Sequence, residues 1–259
     1  MPAGLLNHYA KQKVFAFQEA IYLLASSARN LFSRPRYGAD FLLQMDMIGV
    51  GSLPIVLLTG FFTGAVLALQ THKTLSTFGE VSIIGQVVAL SLVRELGPVL
   101  TALMVAGRNA SGMASELGSM RVSEQIDAMR ALGTDPVRKL VGPRLYATVV
   151  CLPLLTVLAD FFGLAGGFMV STTVAGMGAE QYWTSTYQAL SYQDVIQGLT
   201  KPLIFGVILS LVGCYFGLTT EGGTEGVGRS TTSAVVYASV LILVADFFIT
   251  KFLLNSLYP

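Results

Sequence analysis

Arg94 and Glu95 stand side by side inside the apolar stretch Val81–Gly107. A charged side chain at the centre of a bilayer costs at least ~2.5–3.5 kcal/mol on insertion scales, so both must face protein or water. Adjacent helical positions point about 100° apart, so the two do not satisfy each other and each needs a further partner. Asp160 and Asp246, at comparable depth in two other apolar stretches, are the candidates. Pro98 lies four residues past Arg94, where its ring displaces the Arg94 carbonyl and kinks a helix. Kink, freed carbonyl and charge pair thus coincide, either lining a substrate cavity or forming an ion-pair network that locks a bundle.

A second constellation lies at 123–132. Ser123 is a suitable N-cap, Gly133 a suitable stop, and Pro136 prevents continuation, which predicts a helix of about ten residues. Ile126, Met129 and Leu132 share one face of it. An apolar stripe on a short polar helix is what a membrane protein presents to a soluble partner; the alternative is a helix lying on the membrane surface. The run 127–133 also loosely resembles the EAA loop of ABC importer permeases, with Asp127 and Met129 as departures.

Other chemistries are excluded. The only histidines are His8 and His72, so no Ser/His dyad or histidine metal site forms within the apolar stretches, and no lysine follows a glycine, as a Walker A loop requires. ATP-driven work would need a separate ATPase. Cys151 and Cys214 sit singly in apolar runs and read as small buried hydrophobes. A net charge of +1 gives no nucleic-acid footprint. No metal or cofactor is expected, and 221–228, glycine-rich with no strand before it, reads as a hinge or contact loop.

The elements that must position these residues are membrane spans. Of 259 residues 53% are hydrophobic and 12% charged, about half the charged share of a soluble domain. Five stretches reach the ~20 residues that cross a ~30 Å core: 47–71, 81–120 with its small-residue cytoplasmic extension, 145–175, 202–220 and 233–254. An odd number puts the termini on opposite sides. Lys11, Lys13, Arg29, Arg34, Arg36, Arg108, Arg121, Arg130, Arg138, Lys139, Arg144 and Arg229 fall on one side, against Lys73, Lys201 and Lys251 on the other. The positive-inside rule therefore predicts a cytoplasmic N-terminus and an external C-terminus, with Tyr182, Trp183, Tyr187 and Tyr258 as outer-interface anchors. Apolar residues at 14, 17, 21, 24, 28 and 31 make one helical stripe flanked by basic residues, so 8–36 reads as an interfacial helix and not a signal peptide. Small residues at Gly60 and Gly64, at Gly107, Ser111, Ser115 and Ser119, and at Gly213 and Gly217 suit close helix contacts, internal or between subunits.

The runs 90–99 (LSLVRELGPV), 106–112 (AGRNASG), 114–120 (ASELGSM) and 123–129 (SEQIDAM), with Asp135-Pro136, resemble the signature of the MlaE-type permeases, membrane subunits of lipid-transporting ABC systems that work with MCE proteins. The resemblance covers nearly the whole chain as a single permease domain, 1–259. It implies an all-α polytopic homodimer of five-span subunits with interfacial elbow helices. Two MlaF-like ATP-binding subunits would lie below and an MlaD-like MCE-protein hexamer above, a STAS-domain subunit is a further implied partner, and phospholipid would be held at the dimer interface near the periplasmic side. By motif, Arg94 and Glu95 match the family's polar pair, and 67–78, including Leu67, Leu75 and Phe78, matches its apolar wall. Phe78 stands where some members have Tyr. The stretch 123–132, with Ser123, Glu124, Ile126, Asp127, Met129 and Leu132, matches the ATPase-coupling helix. A Gram-negative inner membrane is expected.

Two function classes follow. The first is a lipid-translocating ABC permease, not itself an enzyme. The second is an ion-coupled secondary carrier relaying through Glu95, Asp160 and Asp246, which would not need a cytoplasmic docking helix. An intramembrane lipid-modifying enzyme has no histidine or paired acids in a workable arrangement.

Overall fold

The computed structural model describes residues 37–257, together with Gln18 and Ala25; the expected interfacial helix at 8–36 and the anchor Tyr258 lie outside the described residues. Helices account for nearly all of it, and no strand occurs among the described residues. We label them α1 (Gly38–Ser76), α2 (Val81–Val122), α3 (Gln125–Ala131), α4 (Val137–Thr173), α5 (Ala179–Ala189), α6 (Tyr192–Leu218) and α7 (Gly223–Leu257). Five of these, all but α3 and α5, are long and apolar enough to cross a membrane.

Four of the five long helices start earlier than their apolar runs, and α2 starts with its run at Val81. The expected span at 202–220 is the later part of α6, which begins at Tyr192, and that at 233–254 is the later part of α7. The glycine-rich 221–228 is mostly the first turns of α7 and not a hinge loop. Gly222 (φ 88°) and Gly223 (φ 67°) make the tight turn into α7 with backbone angles that side-chain-bearing residues seldom adopt, and Gly226 packs against the Glu221 carbonyl.

Small residues set the helix spacing. Gly60 and Gly64 of α1 lie directly against the backbone of Ala159 and Gly163 in α4, and Gly166 lies against the Phe61 carbonyl. Gly213 and Gly217 of α6 meet Ala110, Met113, Ala114 and Leu117 of α2 in the same way. Both glycine pairs are therefore internal contacts, where backbones approach closely and dispersion replaces the hydrophobic drive that lipid cannot supply. Ala234, Ala238 and Ile242, four residues apart and fully buried, form the stripe by which α7 joins the core with Phe205, Leu209 and Leu152. The opposite face of α7, with Val240, Leu243, Val244, Phe247 and Phe248, is exposed. Cys151 and Cys214 are buried and free.

Four π-helical turns interrupt the long helices, at Asp46–Val50, Leu92–Leu96, Ala106–Ala110 and Val137–Val141. At Leu92–Leu96 the cause is visible in the sequence. Pro98 has no N–H to offer the Arg94 carbonyl, and the helix widens so that the Gly97 N–H donates five residues back to Leu92.

Candidate functional site

The widened turn carries Arg94 and Glu95, and α6 faces it with one row of polar residues. Asp194, Gln197 and Lys201, spaced three and four apart on one helical face, are all completely buried. Arg94 Nε donates to Asp194 Oδ1 at 2.7 Å. Asp194 is itself fixed by a capping box: its Oδ2 accepts from the backbone N–H of Ser191 at 2.8 Å and from the Ser191 hydroxyl at 2.9 Å. Lys201 Nζ donates to the Glu95 carboxylate and also lies 3.0 Å from Asp246 Oδ1 of α7. Gln197 Nε2 donates to Glu95 Oε1 at 3.2 Å, and Thr250 Oγ1 to Glu95 Oε2 at 3.4 Å. Two cations and three carboxylates from α2, α6 and α7 thus form a charged network of two neighbouring groups, Arg94 with Asp194 and Lys201 with Glu95 and Asp246, with side-chain exposure from nil at Lys201 and Asp194 to 32% at Arg94 and 40% at Glu95. Gly198 makes room for it, since the Val93 carbonyl lies where a Cβ would stand.

The expected partners are half right. Asp246 joins the network through Lys201; Asp160 does not, and packs instead against Gly97 on the far side of α2, its buried Oδ1 accepting no hydrogen bond. The partners are Asp194 and Lys201, which precede the apolar run beginning at Pro202, so the sequence count puts Lys201 outside the spans. The signal that marks them is Ser191-x-x-Asp194, a capping box that starts the helix ten residues before the apolar run. Lys201, buried in the bundle, therefore leaves the smaller of the two basic counts, reducing it to Lys73 and Lys251.

Next to the widened turn an open apolar groove of about 470 Å³ runs along α1, lined by Leu58, Thr59, Phe62, Thr63, Val66, Leu67 and Gln70, with Leu96 of α2 at its edge. Leu67 sits in its wall. The other expected wall residues lie elsewhere in the chain: Leu75 is half-buried against the apolar cluster around Tyr182, and Phe78 is 75% exposed in the turn after α1. Tyr182 is not an interface anchor either. It is fully buried, its hydroxyl donating to the Leu164 carbonyl at 3.1 Å, and burial pushes its pKa up to about 12. Trp183 and Tyr187 of α5 are the exposed aromatics there.

At the other end of the bundle α3 runs over Gln125–Ala131, two residues later than the expected start. Ser123 does not cap it; its hydroxyl bonds back to the Ser119 carbonyl at 2.8 Å, ending α2, and Glu124 makes the corner in a left-handed conformation (φ 58°). The apolar stripe is divided. Ile126 is fully buried among Met113, Leu117, Leu140 and Val141, and Met129 packs on the same cluster, so these two fasten α3 to the body instead of facing a partner. A two-turn helix has no other apolar area with which to hold its place. Leu132, 83% exposed, is the part of the stripe that points away. Asp127 accepts both of its oxygens' bonds from Arg121 Nη1 (2.8 and 2.7 Å) and one from Arg130 (3.1 Å), tying α3 to the end of α2. Arg144, 4% exposed, bonds Glu116 at 2.7 Å and the Leu140 carbonyl at 2.6 Å, joining the ends of α2 and α4.

A bundle of five membrane-crossing helices around a charged centre, with an apolar groove open at its side, is a multi-pass α-helical membrane protein. Residues 41–252 match the MlaE permease family, and the chain belongs to that family. It is 44% identical over 256 residues to a protein of Rickettsia typhi described as a probable ABC transporter permease, covering 98% of this chain and 99% of that one. It is 36% identical over 230 residues, 87% and 88% of the two chains, to the intermembrane phospholipid transport system permease protein MlaE of Haemophilus influenzae. Identity to the chloroplastic protein TRIGALACTOSYLDIACYLGLYCEROL 1 of Arabidopsis thaliana is 41% over 209 residues, 81% of this chain and 60% of that one.

Proposed function

We propose that this chain is the membrane subunit of an ABC transporter moving phospholipid, and that the lipid lies in the groove along α1. The observation that carries the reading is the groove itself: apolar, about 470 Å³, opening sideways, and sharing α2 with the Arg94–Glu95 turn, where Leu96 lines it two residues past Arg94. Acyl chain suits Leu58, Phe62, Val66 and Leu67, while the exposed third of Arg94 offers guanidinium N–H donors to a phosphate. Leu75 and Phe78 extend the apolar path toward the outer end, completed by a second copy of the chain across a homodimer interface. An MCE-domain protein, MlaD-like, would receive or deliver the lipid at that end, with a STAS-domain subunit as a further partner on the opposite side. Glu95, Asp246 and Lys201 satisfy one another inside the bundle, an arrangement that favours a structural and shape-setting role over the ion relay of a secondary carrier.

Energy would come from a separate MlaF-like ATP-binding subunit docking on α3. With Ile126 and Met129 turned inward, Glu124, Asp127 and Leu132 form the surface left for it. Leu132→Asp places a charge at the centre of that contact, and the ATPase is expected to be lost on copurification while the permease still inserts; retention at wild-type level sinks the coupling role of α3. The orientation follows from twelve basic residues on one side against Lys73 and Lys251: N-terminus cytoplasmic, C-terminus periplasmic, in a Gram-negative inner membrane. Single cysteines at Asp135 and Glu180, in a background without Cys151 and Cys214, should react with an impermeant maleimide from opposite sides. Labelling of both from outside contradicts this topology, and labelling of Asp135 alone from outside reverses the orientation.

A further inference from the structure

Arg94, Lys201 and Arg144 each meet a carboxylate, but Arg108 of α2 meets none within 4.0 Å among the described residues. Its guanidinium is nevertheless held in place. Nη1 donates to the Ser52 hydroxyl at 3.2 Å and to the Met47 carbonyl at 3.3 Å, and the Ser52 hydroxyl also accepts from buried Asn109 at 3.4 Å. The fork lies flat over Gly51, in the space any Cβ there would occupy. Both partners are neutral, so among the described residues the charge of Arg108 is positioned without being compensated.

The surroundings suit a lipid. A Cβ at Gly107 or at Gly112 would meet nothing within 4 Å, so the helix surface beside the fork is open. Met47 and Val50 flank it, 49% and 59% exposed, as an apolar skirt. Ser52 is 24 residues from the outer end of α1 at Ser76, about 36 Å at 1.5 Å per residue, somewhat more than a hydrocarbon core of ~30 Å. On the orientation proposed above, on which this inference rests, that depth is the head-group layer of the cytoplasmic leaflet.

We infer that Arg108 binds the phosphodiester of a phospholipid in the cytoplasmic leaflet, at a site separate from the groove along the outer half of α1. A guanidinium fork matches phosphate oxygens two at a time, and a neutral bed of carbonyl and hydroxyl orients it without cancelling its charge. Lipid held here would stand at the inner end of the same helix pair that lines the groove.

The test is photo-crosslinking from position 112 with the permease and its ATPase in nanodiscs containing either phosphatidylglycerol or diacylglycerol as the labelled lipid. Phosphatidylglycerol should be captured at least tenfold more than diacylglycerol. Arg108→Gln should remove that preference, Arg108→Lys should keep part of it, and excess inorganic phosphate should leave it unchanged. A matching probe at Val240 on the exposed face of α7 should capture both lipids equally in every variant. Equal capture of the two lipids at position 112, indifference to Arg108→Gln, displacement by inorganic phosphate, or capture of a second copy of the chain in place of lipid would each overturn the inference. Cysteine labelling at Asp135 and Glu180 reports orientation independently, so an inverted chain is told apart from a missing site.

Discussion

The two π-turns of α2 solve one problem in opposite ways. At Leu92–Leu96 the charges are brought deep into the bundle and answered by charges: Asp194 for Arg94, Lys201 for Glu95, and Asp246 for Lys201 again. At Ala106–Ala110 the single cation reaches the surface and, among the described residues, is answered by a carbonyl and a hydroxyl of α1. The first turn is a closed network tying three helices together, in which Lys201 is the one cation set between the carboxylates of Glu95 and Asp246. The second is open on one side. A widened turn can therefore serve either to lock a bundle or to display a charge, and the charge state of its partners decides which.

Removing the centre of the closed network should have the largest effect. Lys201→Met leaves Glu95 and Asp246 facing each other without a cation, and losing one partner of a buried pair typically costs about 3–5 kcal/mol. The purified protein should lose its monodisperse elution at a markedly lower temperature than the wild type. A variant as heat-resistant as the wild type would mean that the network is not dry. Arg108→Gln should be nearly silent by the same measurement, within about 1 kcal/mol, because its partners are neutral and the buried Ser52 hydroxyl keeps its bond from Asn109. A destabilisation equal to that of Lys201→Met would erase the contrast between the two turns.

Sequence reasoning reached the helical architecture, the five long apolar helices and the Arg94–Glu95 turn with its proline, because charge inside an apolar stretch and the geometry of Pro98 are local signals. It misplaced the partners of that pair for a physical reason. A hydropathy reading begins a helix where the apolar run begins, whereas α6 starts at its capping box, and the polar face between Ser191 and Lys201 is buried against α2. Asp160, in contrast, looked like a partner only by depth, and depth says nothing about the side of the helix. The stripe of Ile126, Met129 and Leu132 is legible as a periodicity, but periodicity does not say whether an apolar face turns to the protein's own body or to another subunit. Gly60 and Gly64 left the same choice open, and the backbone of α4 settles it.

The central claim is that phospholipid occupies the groove along α1, and filling the groove tests it most directly. Leu67→Trp adds bulk to its wall while leaving the charged network, α3 and the Arg108 turn untouched. In vesicles holding the permease and its ATPase, ATP-dependent movement of labelled phospholipid should fall at least tenfold, with the ATPase still bound and hydrolysing ATP. Lipid movement at the wild-type rate with the groove filled would contradict the account and send the lipid path elsewhere in the molecule.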